Sequence, residues 1–304
     1  MKNLISILCM GLSMLSMGLY GKNGVSGDLR WVGTRLSTDC PVSLGIPFLK
    51  GELEAGGRVV LKDGGGSGIP SDCWPLAYWP DGSLKWLGVA AVIPGEAEGI
   101  RFETTGKKHK MKNRSETKIQ VDETTSFFRV STGKVEAYIP KRGCCLLDSL
   151  RCEGRTVGGQ AALLCSTQDH PSAEGEAVLH FTDYRGQVER VTVERAGDIR
   201  ALVRIEGRYA NDATRRKWLP FTVRLYFYAG SEQIKMVHSF VFDGDMDRDF
   251  IRSLGIRFEV SMREAAYNRH VAFATADGGV WAEPVQPLNG RRILTLDGDK
   301  GWQG

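Results

Sequence analysis

The sequence carries almost no surplus charge, a formal +4 over 304 residues. Nucleic-acid binding is therefore not indicated, because such domains concentrate a basic surplus. Helix-period apolar spacing is nearly missing, and Gly158 to Thr167 is the one short stretch that predicts a helix. No apolar run beyond the N-terminal segment is long enough to cross a bilayer. There is no C-x-x-C and no Cys/His quartet at zinc spacing, so a structural zinc site is not indicated. A phosphate loop is excluded as well. Asp63-Gly-Gly-Gly-Ser-Gly-Ile lacks G-x-G-x-x-G, and Pro70 blocks the helix that would follow. Neither G-x-S-x-G nor H-E-x-x-H occurs. Paired carboxylates for glycoside hydrolysis have a spatial spacing and leave no signature in sequence.

What is present is an ordinary folding composition. Apolar residues make up 42% and charged residues 25%, which rules out disorder as the main state. The 37 glycines exceed the usual ~7% and follow no G-X-Y period, so they mark turns. At ~100–200 residues per domain, the length suggests two domains.

The N-terminus places Lys2 before a mostly apolar run from Leu4 to Leu19, followed by Gly21, Lys22 and Asn23. This predicts a signal peptide over 1–21 and an exported protein, periplasmic or extracellular, with no membrane association after cleavage. Six cysteines then remain: Cys40, Cys73, Cys144, Cys145, Cys152 and Cys165. Export permits disulfides, and Cys40 with Cys73 is the one pairing within the first half. The adjacent Cys144 and Cys145 would pair under strain, and buried free thiols are the alternative.

Strand patterns dominate the rest. Arg58 to Leu61 ends at the glycine turn Asp63–Gly68, Leu84 to Ile93 is a longer buried strand, and Phe127–Val130 with Lys134–Ile139 forms a hairpin. Long strands are expected at 177–184, 187–195, 199–209, 218–228 and 233–242. Their alternation of charged and apolar residues predicts an antiparallel sheet with one wet face. The basic run from Gly106 to Arg114 is expected to be a solvated linker. The expectation is thus an all-β protein: a small domain over 27–106, a linker over 107–114, and a large β-sandwich over 115–304.

The most distinctive segment is Cys73 to Leu87, CWPLAYWPDGSLKWL. Pro80-Asp81-Gly82 forms its turn: Pro presets φ, Asp caps locally and Gly takes the left-handed position. Together with Val42-Ser-Leu-Gly-Ile-Pro-Phe48, this hairpin resembles the N-terminal RIFT-barrel domain of the rhamnogalacturonan exolyase and YetA-like family. Asp243-Gly-Asp-Met-Asp-Arg-Asp-Phe-Ile-Arg-Ser-Leu-Gly-Ile-Arg-Phe resembles the family's central β-sandwich domain. So do Asn268-Arg-His-Val-Ala-Phe and Gly278-Gly-Val-Trp-Ala-Glu-Pro-Val-Gln-Pro-Leu.

The resemblance implies a small RIFT-type barrel, a large antiparallel sandwich, and a lyase acting by β-elimination on acidic polysaccharide such as rhamnogalacturonan. Family members continue into a helical toroid. This sequence ends at Gly304 without one. The resemblance therefore implies a missing C-terminal helical domain as partner, and a chain inactive alone. A non-catalytic carbohydrate-binding or structural β module is the alternative.

Elimination beside a uronic acid needs a group that neutralises the carboxylate and a base that takes the neighbouring proton. Arg252 and Arg257 are candidates for the first task, and His238 and His270 for the second. Structural ion pairs and structural histidines are the plainer readings. Tyr78, Trp79, Lys85 and Trp281 are candidate sugar contacts, with core packing the plainer role of the tryptophans. Asp243, Asp245, Asp247 and Asp249 would share one side of an extended chain and need counter-charges, water or a cation. Arg248 and Leu254 exclude an EF-hand, leaving a Ca²⁺ site of another kind as a candidate beside a turn of solvated acids.

Overall fold

The computed structural model describes residues 24–32, 37–105, 117–171, 179–274, 279–284, 295–296 and 302–303. The expected signal peptide over 1–21 and linker over 107–114 lie outside them. Among the described residues there is no α-helix, and no helix is long and apolar enough to cross a membrane.

The first seven strands are β1 (Ser26–Leu29), β2 (Cys40–Pro47), β3 (Arg58–Lys62), β4 (Gly68–Ile69), β5 (Ser71–Tyr78), β6 (Leu84–Ile93) and β7 (Ile100–Thr105). They form two antiparallel sheets, β1-β7-β3-β4 and β2-β6-β5. Ile46, Val59, Leu61, Leu84, Leu87, Val89 and Phe102 close a shared core between them. The predicted turn is built as expected. Gly82 sits at φ 85°, Asp81 Oδ1 accepts from the Ser83 N–H at 3.0 Å, and Trp79 N–H donates to the Ser83 carbonyl at 2.8 Å.

Strand β6 is buried along nearly its whole length because both its faces are covered. The barrel core takes one face. On the other, Ala90 packs with Trp74 and Tyr228, and Tyr228 lies far along the chain in the second sheet system. That junction is polar as well as apolar. Asp72 Oδ2 accepts from the backbone N–H groups of Ile199 (2.9 Å) and Arg200 (2.8 Å). The Arg200 guanidinium lies 4.1 Å from the Trp74 ring centre and donates to Ser43 Oγ at 2.6 Å. Gly88 is required beneath it, since a Cβ there would fall 2.2 Å from Trp74.

A five-stranded sheet follows, β8 (Gln120–Glu123), β9 (Phe127–Ser131), β10 (Val135–Pro140), β11 (Ser149–Cys152) and β12 (Arg155–Gly158), ordered β12-β11-β10-β9-β8. It faces a six-stranded sheet of β13 (Ala161–Gln168), β14 (Phe181–Ala196), β15 (Arg200–Ala210), β16 (Lys217–Tyr228), β17 (Ile234–Phe240) and β18 (Phe250–Phe258). Its order is β17-β16-β15-β14-β13-β18. Val130, Ile139, Leu163, Val203, Ile205, Tyr209, Trp218, Val223 and Phe227 fill the space between the sheets.

Two expectations are corrected. The stretch predicted as a short helix, Gly158 to Thr167, ends β12 and then forms β13. Its Ala161, Leu163 and Cys165 enter the core at a period of two, which is strand spacing. The two strands expected at 177–184 and 187–195 are one, β14, running unbroken through Gly186. That glycine makes no turn. It permits close approach, because a Cβ there would lie 2.9 Å from Leu163 Cβ.

All six cysteines of 24–304 are free thiols. Cys40 and Cys73 stand opposite Ile93 and Val89 on β6. Two inter-strand steps and four residues of rise separate them by roughly 16 Å, far beyond the ~7 Å a disulfide tolerates between Cα atoms. Burial pushes the Cys165 thiol up to about 11.

Residues from Val260 onward belong to a separate compact unit. Its described part contains a 3-10 turn at Ala266–Asn268, a hairpin of β19 (His270–Ala274) and β20 (Val280–Pro284), and the short pair β21 (Thr295–Leu296) and β22 (Trp302–Gln303).

Candidate functional site: the outer face of the six-stranded sheet

Alternation sends one set of side chains from β14, β15 and β16 into the core and the other set outward. Across the middle of that outer face the charges neutralise one another. Arg190 binds Glu206 at 2.6 Å, Arg204 binds Glu206 and reaches Glu194 at 3.6 Å, and Arg224 binds Glu194 at 3.1 Å. Bonding to Glu194 raises the Arg224 pKa further above its ordinary value.

One end of the face differs. Arg185 on β14 stands opposite Ala210 on β15, and Ala210 stands opposite Lys217 on β16. Directly paired residues share a face, so both cations project outward across a small alanine, about 10 Å apart by two inter-strand spacings. Arg142 arrives from the other sheet. Gly143, at φ 108°, bridges to β14, where the Val188 N–H donates to the Gly143 carbonyl at 2.7 Å. These three cations line a cleft of about 700 Å³ together with Asp183, Glu189 and Asp212, and Cys144 stands at its rim. Among the described residues, no ion pair or side-chain hydrogen bond engages Arg142, Arg185 or Lys217. The cleft therefore offers free donors for a carboxylate beside free acceptors for hydroxyl groups, the mixture a uronic-acid sugar presents in reverse.

The structure distributes the sequence-predicted residues unevenly. Arg257 pairs with Ala162, two residues from Leu164, the partner of Arg185. It therefore joins Arg185 and Lys217 on the outer face. Arg252 is stacked at 4.3 Å on Phe181. His238 faces the opposite way. It pairs with the core residue Val223 and sits against the rings of Tyr209, Phe221 and Phe240. Burial holds its pKa below the ordinary histidine value, and Tyr209 Oη lies 3.4 Å from Nε2. His270, exposed, has Nδ1 3.0 Å from the Asn268 carbonyl and belongs to the separate unit. Trp281 is on β20 of that unit, and its side chain lies outside what the structure describes.

In the barrel, Trp79 donates its indole N–H to the Phe48 carbonyl at 3.0 Å and carries the Lys85 ammonium 4.5 Å from its ring centre. That is a structural tie, with Tyr78 exposed beside it.

The four aspartates do not gather. The chain turns at 245–249 instead of extending, with the Asp249 N–H donating to the Asp245 carbonyl at 2.8 Å. Asp249, almost fully buried, takes a two-point bond from Arg216 at 2.6 and 2.5 Å, which holds its carboxyl below the usual carboxylate range. Asp243 accepts from the Leu219 N–H at 2.7 Å and faces Arg208 at 3.1 Å. Asp245 accepts from the Asp247 N–H at 2.9 Å. The carboxylates of Asp243, Asp245 and Asp249 thus take separate partners. Among the described residues, no group of three or more His, Cys, Asp or Glu side chains could hold a metal ion.

Sequence reasoning missed Arg142, Arg185 and Lys217. The visible signal was their place among outward-facing charges; what sets them apart, the absence of an ion-pair contact, depends on register and on the loop bridge at Gly143.

Comparison with known proteins is decisive about ancestry. Residues 25–105 match the PcRGLX-like N-terminal RIFT barrel domain, and residues 119–300 match the PcRGLX-like protein central beta sandwich domain. The chain belongs to the PcRGLX-like family. It is also 31% identical over 265 residues to "Uncharacterized protein YetA" of Bacillus subtilis (strain 168), a match covering 87% of this chain and 30% of that protein. The chain thus spans under a third of that relative's length. The resemblance seen in the hairpin and in the Asp243 segment holds, as does the barrel-then-sandwich architecture.

Proposed function

We propose that this chain is the β-rich part of an exported, polysaccharide lyase-like protein, and that its outer-face cleft binds an acidic polysaccharide such as rhamnogalacturonan. The observation carrying this reading is a polar cleft in which three cations, Arg142, Arg185 and Lys217, and three carboxylates, Asp183, Glu189 and Asp212, stand together with no ion pair engaging the cations. A uronate carboxylate would take the bidentate face of Arg185 or Arg142, and Asp183, Glu189 and Asp212 would accept from sugar hydroxyls. In β-elimination, neutralising the carboxylate is the first requirement, because it makes the adjacent C–H acidic. The proton-abstracting base is the second.

A second reading, binding without turnover, is favoured by one feature. The residues lining the cleft include no histidine and no tyrosine, so the cleft by itself supplies the anion-binding half of the chemistry. Export rests on the N-terminal segment, Lys2 followed by the apolar run to Leu19.

The test is to pass the purified chain over immobilised rhamnogalacturonan and to follow unsaturated-uronate absorbance in the same mixture. Retention with rising absorbance supports the lyase reading. Retention without it supports binding alone. Failure to be retained by acidic glycan contradicts both.

A further inference from the structure

Cys144 and Cys145 stand next to each other on the loop between β10 and β11, which lies against the six-stranded sheet. This segment is pinned on both sides. Gly143 bridges to Val188, and Leu146 and Leu147 hydrogen-bond to Ala161 at 2.8 and 2.9 Å. Between these anchors Cys144 is exposed on the cleft, while Cys145 is half-buried. Burial, and after it the neighbouring Cys144, pushes the Cys145 thiol up to about 11. The two thiols are thus chain neighbours of unequal exposure, one open to solvent and one half-buried. Cys152 and Cys165 lie on strands, with Cys165 in the core.

We propose that Cys144 and Cys145 form a redox-active dithiol, a modification site at the cleft rim that exchanges with low-molecular-weight disulfides. The Cys144 thiolate attacks one sulphur of the disulfide, forming a mixed disulfide and releasing one small thiolate. Cys145 gives its proton to solvent, and its sulphur attacks the Cys144 sulphur. The ring closes as a Cys144–Cys145 disulfide, and the second small thiolate leaves. Two electrons pass from the cysteine pair to the oxidant, which departs as two thiols. A ring between neighbours is strained, which makes it easily reduced again and suits it to a reversible role.

Trypsin isolates the pair. Cleavage after Arg142 and Arg151 gives the peptide Gly143–Arg151, which contains both cysteines and no others. The folded chain is treated with oxidised glutathione, alkylated and digested. The expected peptide is two hydrogens lighter than the dithiol form and returns to it with dithiothreitol. Phenylarsine oxide, which needs two neighbouring thiols, is expected to bind once per chain and to block the oxidation. In C145S the same treatment is expected to leave one glutathione on Cys144, and C144S should lose both reactions. A peptide carrying two glutathiones, or one joined to the Cys152 or Cys165 peptide, would overturn the proposal. So would a peptide left unoxidised while Cys144 is freely alkylated. None of these readouts depends on glycan binding, so this proposal and the polysaccharide reading fail separately.

Discussion

Arg216 and Lys217 are neighbours in sequence and opposites in role. Arg216 is spent on structure. It closes a two-point bond on buried Asp249 and stacks 4.7 Å from the Trp218 ring centre. Lys217 faces out across Ala210 toward Arg185 with nothing engaging it. The same contrast runs along the outer face, between the interlocked middle, where Arg190, Arg204 and Arg224 share Glu194 and Glu206, and the free end at Arg142, Arg185 and Lys217. Charge alone does not mark a site. A cation whose counter-ion is already supplied contributes to folding; one left unpaired beside a cleft is available to a ligand.

Breaking the paired side should have the largest effect on stability. Arg216→Ala leaves Asp249 buried and uncompensated, and is expected to cost about 2 kcal/mol in urea unfolding, below the fully buried range because Arg216 itself is partly exposed. Breaking the free side should do the reverse. Arg185→Ala combined with Lys217→Ala is expected to lower affinity for acidic glycan at least about tenfold, roughly 1.4 kcal/mol. Unfolding free energy should stay within about 0.5 kcal/mol of the parent. Glu206→Gln, in the interlocked middle, is expected to cost about 1 kcal/mol of stability and to leave glycan affinity unchanged. Comparable loss of binding in that variant would erase the distinction between the two ends.

The smallest effect is on acid sensitivity. The Asp249 carboxyl is held below its ordinary value chiefly by Arg216. Its contribution is complete above the unfolded value of about pH 4 and is lost as pH falls through the lower folded value. Arg216→Ala should therefore flatten the loss of stability below about pH 4, measured as the urea midpoint against pH.

Most of the architecture was legible from residues. The strands from Arg58, Leu84, Phe127 and Trp218, the Pro80–Gly82 turn and the wet face of the large sheet all follow from alternation and turn chemistry. The misreadings came from one ambiguity. Ala161-Ala162-Leu163-Leu164-Cys165 is apolar throughout, so its period is hidden, and only its place between β14 and β18 makes it a strand. Gly186 looked like a turn because glycine serves turns and close approach alike. Site residues were harder still. Arg257 was singled out as a cation and does stand on the outer face, but Arg185 and Lys217 are set apart by register, and register is not written in either strand alone. The aspartate series looked like a cation loop because Arg208 and Arg216, which neutralise it, lie some 30 residues earlier.

The measurement that bears most directly on the cleft is binding of the reduced chain to rhamnogalacturonan and to the same polymer with its carboxyl groups reduced to alcohols, each repeated with Arg185→Ala/Lys217→Ala. Binding of the acidic polymer that is lost both by carboxyl reduction and by the double substitution is the result the free cations predict. Equal binding of the two polymers, or binding untouched by the substitution, would contradict it.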